Sequence, residues 1–326
     1  MFEYITGGGF NKQALPDSLA GEGSLMLNAL LDNLAGLNTL EIIVMLDWRL
    51  SDSISMTGIN TVIIKPEQDI AEEFARLVKQ CDLVWPIAPE FDGILQTLCQ
   101  TVESVGKVLL TSPATAVAIA GNKLKTYELL NRRHIAAVPT RMLDNEYSAG
   151  EWMVKPVDGV GCADSYVIAN RQDFEQMAAR KKHYIIQPHL QGAKTSLSCL
   201  FRQGRGWLVC VNLQRFEYID RQYHLADIVV NHHPEDLGAY RQLIDQIACA
   251  LPELWGYAGI DLIETAEQTW VLEINPRLTT SFVGIYDALG INVAEAVLQL
   301  LHGEPILIPD WNRAVTVRTK QETHAN

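Results

Sequence analysis

Residues 257–281, YAGIDLIETAEQTWVLEINPRLTTS, constrain the fold more than any other stretch of the chain. Two β-type runs, AGIDLI and WVLEIN, flank the polar segment ETAEQT, which predicts an antiparallel hairpin. With the turn centred on Glu267, Asp261 and Glu273 each lie six residues from the centre and face one another. The two-residue period of a strand then adds Asn275 to the face that carries Glu273. Two carboxylates and a carboxamide oxygen, with no soft ligand, form a hard-oxygen set suited to Mg²⁺ or Mn²⁺ bridging phosphate oxygens. Asp261 taken alone also fits the solvated face of an antiparallel sheet; the full D…E-x-N-P-R run favours the metal. Asn-Pro ends the second strand, and Arg277 follows as a planar five-donor group able to hold a phosphoryl group or a carboxylate.

The first third of the 326-residue chain has a different texture. Strand-like runs at 40–46 (LEIIVML), 61–65 (TVIIK), 81–88 (CDLVWPIA) and 107–110 (KVLL) alternate with helical patterns such as DIAEEFARLVKQ and FDGILQTLCQTVESVG. Short strands joined by helices build a parallel sheet with ligands at its carboxyl edge. Residues 111–135 read as two helices broken near Gly121. From Pro139 onward strands dominate, at 151–157, 183–190, 194–219 and in the 257–275 pair, the pattern of α+β modules. The fold class is therefore α/β plus α+β, with units expected at 1–112, 113–190 and 191–326 and a frayed tail at 320–326.

Composition narrows the function classes. No window holds the roughly 20 uninterrupted apolar residues of a membrane span, and the Met-Phe-Glu-Tyr start lacks the features of a secretory signal, so the cytoplasm is the expected compartment. Six cysteines form no C-x-x-C pair and have no His at zinc spacing, which predicts reduced, mostly buried thiols. The eight histidines, the pair His232–His233 included, are read as loop residues or satisfied polar contacts. A formal net charge of −13 with scattered Lys and Arg opposes nucleic acid and anionic membranes. Small-molecule substrates are the expected partners, and homo-oligomerisation is left open.

LEINPRLTTS resembles the metal-binding strand of the ATP-grasp superfamily of carboxylate–amine ligases. The likeness covers nearly the whole chain and implies an ATP-grasp fold preceded by a Rossmann-like domain, with ATP and Mg²⁺ or Mn²⁺ as cofactors. The family's two phosphate-binding lysines match Lys123 in GNKLKTYELL and Lys155 in WMVKPVDGVGC. Gly159 and Gly161 would let the following loop fold over the phosphates, although DGVG alone also fits a β-turn. The adenine hinge matches IIQPHLQG, with the Gln187 carbonyl and the Leu190 amide as the candidate pair. The acidic residue that many members place after the hinge for the ribose hydroxyls has no counterpart in LQGAKTS; Gln191 or a residue from elsewhere takes its place. The implied mechanism is acyl-phosphate formation: Asp261, Glu273 and Asn275 hold the metal, and Lys123 and Lys155 offset phosphate charge. Lys155 and Arg277 are the catalytic candidates, Arg277 stabilising the oxyanion or the departing phosphate.

FEYITGGG, GEGSLML (21–27) and PIAPEFDGIL (86–95) are similar to the ATP-grasp branch that includes the tyramine–glutamate ligases of methanofuran biosynthesis. That branch implies glutamate as the acid and tyramine, tyrosine or a related amine as acceptor. Glu22 and Glu90 are candidates to hold a substrate ammonium; the alternatives are a helix N-terminal charge for Glu22 and a solvated loop for Glu90. Gly7–Gly9 are followed by Asn11, Lys12 and Gln13 where a dinucleotide loop would need glycine. Gly8 and Gly9 are therefore read as the carboxyl-edge loop of the first strand, lining the acceptor pocket. Two other readings stay open: a dipeptide- or D-alanine-type ligase, and a non-catalytic nucleotide-binding regulator.

Overall fold

The computed structural model describes residues 1–37, 40–51, 58–144, 146–180, 183–232 and 237–319. His233 and the tail at 320–326 lie outside them.

The N-terminal third is built from β1 (Phe2–Glu3), α1 (Asp17–Ala35), β2 (Ile42–Asp47), β3 (Ile59–Ile64), α2 (Ile70–Val78), β4 (Leu83–Val84), β5 (Pro86–Ile87), α3 (Ile94–Ser104) and β6 (Val108–Leu109). The strand pairs are parallel: β2 with β3, β1 with β5, and β4 with β6. The 81–88 run is one extended segment that changes partner at Trp85, pairing with β6 before it and β1 after it. Trp85 itself accepts the Phe2 N–H at 3.0 Å. α2 starts where the Asp69 carboxylate accepts the amides of Ala71 and Glu72.

α4 (Ala114–Ala120) and α5 (Lys123–Arg132) follow, broken at Gly121 as the sequence predicts. A four-stranded antiparallel sheet in the order β7 (Arg141–Met142), β10 (Tyr184–Pro188), β8 (Trp152–Pro156), β9 (Tyr166–Ile168) is covered by α6 (Arg171–Ala178). The last unit is a six-stranded antiparallel sheet. Its order is β15 (Thr269–Asn275), β14 (Gly256–Glu264), β11 (Ala193–Arg202), β12 (Arg205–Ile219), β13 (Gln222–Val230), β16 (Val315–Arg318). α7 (Leu237–Ala250), α8 (Ile285–Leu289) and α9 (Val293–Gln299) pack on it.

Two packing relations bring the units around one cleft. α1 buries Leu27 and Leu31 against Val44 and Leu46 of its own unit. Its other side, Met26, Leu30 and Leu34, joins the core that contains Leu289, Val293 and Val297 of the last unit. α4 and α5 bury Ala116, Ala120 and Leu130 with Ile260, Val271 and Ile274 of the six-stranded sheet, not with the four-stranded sheet that follows them in sequence. That contact delivers the first residue of α5 to the metal-type hairpin. Among the described residues no single helix is long and apolar enough to cross a membrane.

Candidate active site

Asp261 faces Glu273 across β14 and β15, but not by the route the sequence suggests. The turn centres between Ala266 and Glu267, with Glu264 paired to Thr269 and Leu262 to Val271. A bulge at Leu272 then shifts the register by one residue, so that Asp261 meets Glu273. Asn275 pairs with Gly259, and its Nδ2 donates to Asp261 Oδ2 at 3.1 Å, leaving the carboxamide oxygen unused by that contact. Gln214, from β12, donates its Nε2 to Asp261 Oδ1 at 3.1 Å. No sequence motif marked Gln214; only the sheet order places it beside the carboxylate.

Lys123 is the first residue of α5, behind an Asn122 cap that accepts the Lys125 amide. A cation in the first helical turn is opposed by the helix dipole, and Lys123 is offset by a 3.0 Å ion pair from its Nζ to Glu273 Oε2. The same Nζ donates to the Gly159 carbonyl at 2.6 Å, tying the glycine loop to the hairpin. Lys155, on β8, is buried, and desolvation lowers its pKa against the attraction of Glu273. Burial and then the neighbouring Glu273 push Asp261 up to about 7. Burial also acts to raise Glu273, but Lys123 and Lys155 outweigh it and hold that carboxylate well below its ordinary value. Two half-buried carboxylates sharing one site, with amide donors and an amide oxygen beside them, fit a hard divalent cation.

The raised Asp261 value has a measurable consequence without any cation. A carboxyl raised on folding contributes stability below its ordinary value of 3.8 and loses it as pH rises through about 7. The chelated protein is expected to melt lower at about pH 8 than at about pH 6, and Asp261→Asn is expected to flatten that difference in a thermal-shift series. An unchanged slope in the variant would assign it to other groups.

The glycine loop and hinge complete a cavity lined by Lys155, Gly161, Cys162, Gln187, Pro188, His189, Leu190, Asp261, Glu273, Asn275 and Arg277. Gly161 has φ +61°, in the left-handed region, with open space where a Cβ would stand. Its backbone also borders two adjoining cavities, one of them shared with Gly159. The Gln187 side chain is buried and donates to Thr140 Oγ1 at 2.7 Å, which fixes the hinge to the start of the four-stranded sheet. Lys194, Phe216 and Tyr223 line the same cavity; sequence reasoning passed over them because they belong to no motif.

Arg277 and Glu90, 187 residues apart, form a buried bidentate pair: Nε to Oε1 at 2.9 Å and Nη2 to Oε2 at 3.0 Å. Glu90, expected at a substrate ammonium, is here the partner of Arg277 through both of its oxygens and is not among the residues lining the three cavities. Arg277 also donates Nη1 to the Leu278 carbonyl, which leaves two of its five N–H groups for a ligand. Glu22 accepts the Thr280 hydroxyl on Oε2 at 2.7 Å and lines all three cavities.

Gly8 and Gly9 do not line these cavities, and the expectation that they do is corrected. Ile5–Gly9 forms one wide helical turn. A Cβ on Gly8, which has φ +100°, would fall 2.7 Å from Ile64 Cγ2. The glycines let the turn pack on the N-terminal core. The carboxylate that borders the smaller cavity from this region is Glu3, which sequence reasoning missed. Glu3 accepts the Ile5 and Thr6 amides and the Thr6 hydroxyl, and burial raises its pKa.

Two family models match the chain: an ATP-grasp domain over residues 120–281 and a pre-ATP-grasp domain over residues 40–117. The chain belongs to the ATP-grasp superfamily. Among the relatives of this ATP-grasp protein is a tyramine–L-glutamate ligase of Methanocaldococcus jannaschii, 26% identical over 287 residues, covering 87% of this chain and 83% of the relative. An ATP-grasp superfamily protein from Archaeoglobus fulgidus shares the fold with a TM-score of 0.73 at 23% identity, covering 97% of this chain and 90% of that one. The L-amino acid ligase of Bacillus licheniformis superposes with a TM-score of 0.66 at 16% identity over 83% of this chain and 70% of that one. The ATP-grasp chain described here is an ATP-dependent carbon–nitrogen ligase of the carboxylate–amine type.

Proposed function

We propose that this ligase joins glutamate to tyramine, tyrosine or a related amine through an acyl phosphate, in a methanofuran-type cofactor pathway of the cytoplasm. The observation that carries the reading is the cavity arrangement. Glu22 and Arg277, an anionic and a cationic group, border the same space as Lys155, Asp261 and Glu273. The likeness to the Methanocaldococcus ligase, over 87% of this chain, supports the choice of acid and amine.

In this mechanism Lys123 and Lys155 offset the charge of the β and γ phosphates while the hinge at Gln187–Leu190 holds the base. Asp261, Glu273 and Asn275 would hold Mg²⁺ or Mn²⁺, which supplies neutralisation of phosphate oxygens. Gly159 and Gly161 let the loop close over the phosphates and exclude water from an intermediate that hydrolyses readily. The two uncommitted N–H groups of Arg277 receive the substrate carboxylate as its oxygen attacks the γ-phosphorus, and afterwards the oxyanion formed when the amine adds. Glu22 receives the incoming ammonium at the edge of the same cavity and, once a proton has passed to solvent, orients the free amine toward the acyl carbon. The C–N bond forms and the C–O bond to phosphate breaks, releasing inorganic phosphate that carries the former carboxylate oxygen.

A panel of acids and amines scored for ADP release tests this. Glutamate together with tyramine or tyrosine is expected to give acid- and amine-dependent ADP. Turnover confined to pairs of unrelated amino acids would replace the glutamate–amine reading with a dipeptide-ligase one.

A further inference from the structure

A smaller cavity adjoins the one that holds the phosphate and metal groups. Glu22, Gly161, Arg277 and Thr280 line both, whereas Lys155, Asp261 and Glu273 line only the larger one. The smaller cavity has an apolar wall drawn from three elements: Leu19 and Met26 of α1, Ile87 at the end of β5, and Val160 of the glycine loop. Its second carboxylate is Glu3, only 2% exposed, which does not line the larger cavity.

The Glu3 side chain is fixed and still short of one donor. Oε2 accepts the Thr6 amide at 2.7 Å and the Thr6 hydroxyl at 2.6 Å, while Oε1 accepts the Ile5 amide at 3.2 Å. A carboxylate offers about four acceptor sites, two on each oxygen, so one site on Oε1 has no donor among the described residues. Glu3 makes no ion pair among them either, since the guanidinium of Arg277 is committed to Glu90. Its place against α1 depends on Gly23, another lining residue, where a Cβ would fall 2.6 Å from Glu3 Oε2. Glu22 immediately precedes Gly23. The two carboxylates therefore serve one cavity, Glu22 where it meets the reaction site and Glu3 in the part the reaction site does not share.

An ammonium held by Glu22 leaves the rest of its molecule to the apolar wall, with a buried acceptor beyond it that lacks one donor. A second ammonium would bring three N–H groups to that single vacancy and strand two of them. A hydroxyl brings one. We propose that the smaller cavity receives the body of the acceptor amine and that Glu3 Oε1 accepts a hydrogen bond from a hydroxyl carried on it. Glu3 is then a specificity residue that selects a phenolic amine, of the tyramine or tyrosine kind, over amines without the hydroxyl. The inference rests on the glutamate–amine reading above.

Steady-state kcat/KM for tyramine, phenethylamine and O-methyltyramine, each with glutamate and ATP, tests it in the wild type and in Glu3→Gln at matched folded fraction. The wild type is expected to prefer tyramine by about a hundredfold over both analogues, because neither can donate to the carboxylate. Glu3→Gln is expected to reduce that preference to about tenfold or less, with the loss falling on tyramine. Comparable use of all three amines by the wild type would overturn the assignment, and that comparison does not depend on the variant folding. Equal losses for the three amines in Glu3→Gln would reduce Glu3 to a brace for the Ile5–Gly9 turn, and a preference kept in full would place the hydroxyl elsewhere; each overturns it as well. A wild type that turns over none of the three would instead overturn the glutamate–amine reading beneath it.

Discussion

Glu273→Ala is expected to lower kcat by about three orders of magnitude, or about 4 kcal/mol of transition-state stabilisation. Glu273 is the most connected carboxylate of the site. It stands opposite Asp261, pairs with Lys123 at 3.0 Å, and is the main group drawing Lys155 toward its charged form. Its removal takes away one of two anionic metal ligands and leaves Lys123 at a helix start with the dipole against it. The Lys123 link to the Gly159 carbonyl then loses its second anchor, so the loop over the phosphates is held less firmly. Steady-state ADP release at saturating substrates checks this. A variant within tenfold of wild type would place the metal on other residues.

The second large effect is on stability. Glu90→Ala is expected to cost about 3–5 kcal/mol, because it strands a buried guanidinium whose partner supplied both oxygens. A surface pair of the same geometry would contribute a fraction of that; here the two side chains are only 14% and 5% exposed. The double variant Glu90→Ala/Arg277→Met is expected to regain most of the lost melting temperature while staying inactive, since an apolar replacement removes the unpaired charge but not the need for its donors. Thermal unfolding of the two variants distinguishes the cases. Similar melting temperatures for wild type and Glu90→Ala would mean that water or another residue satisfies Arg277.

How much of this was legible in the sequence depends on the range of the signal. The parallel N-terminal pairs, the helix break at Gly121 and the final hairpin all follow from local period and punctuation, which the chain carries residue by residue. The opposition of Asp261 and Glu273 follows as well, though through two features that offset each other. The turn lies half a residue before Glu267, and the Leu272 bulge restores the register. The bulge inserts one extra residue, Leu272, into the strand and leaves no local mark in the sequence. The pairing of Glu90 with Arg277, the approach of Gln214 to Asp261 and the packing of α4 and α5 on the six-stranded sheet are contacts between elements far apart in sequence. Each residue type was compatible with several partners until the topology chose one. Gly8 and Gly9 show the converse error. A run of glycines suggests a ligand loop, but here it answers a steric demand of Ile64 and Tyr4 in the N-terminal core.

In the proposed reaction a substrate carboxylate attacks the γ-phosphorus in the cavity bounded by Lys155, Asp261, Glu273 and Arg277. Turnover with ¹⁸O-labelled glutamate carboxylate in the presence of tyramine, read by mass spectrometry of the released phosphate, follows that oxygen. One ¹⁸O is expected in inorganic phosphate for each amide formed, with ADP as the nucleotide product. Unlabelled phosphate, or AMP and pyrophosphate in place of ADP, would rule out attack of the carboxylate on the γ-phosphorus.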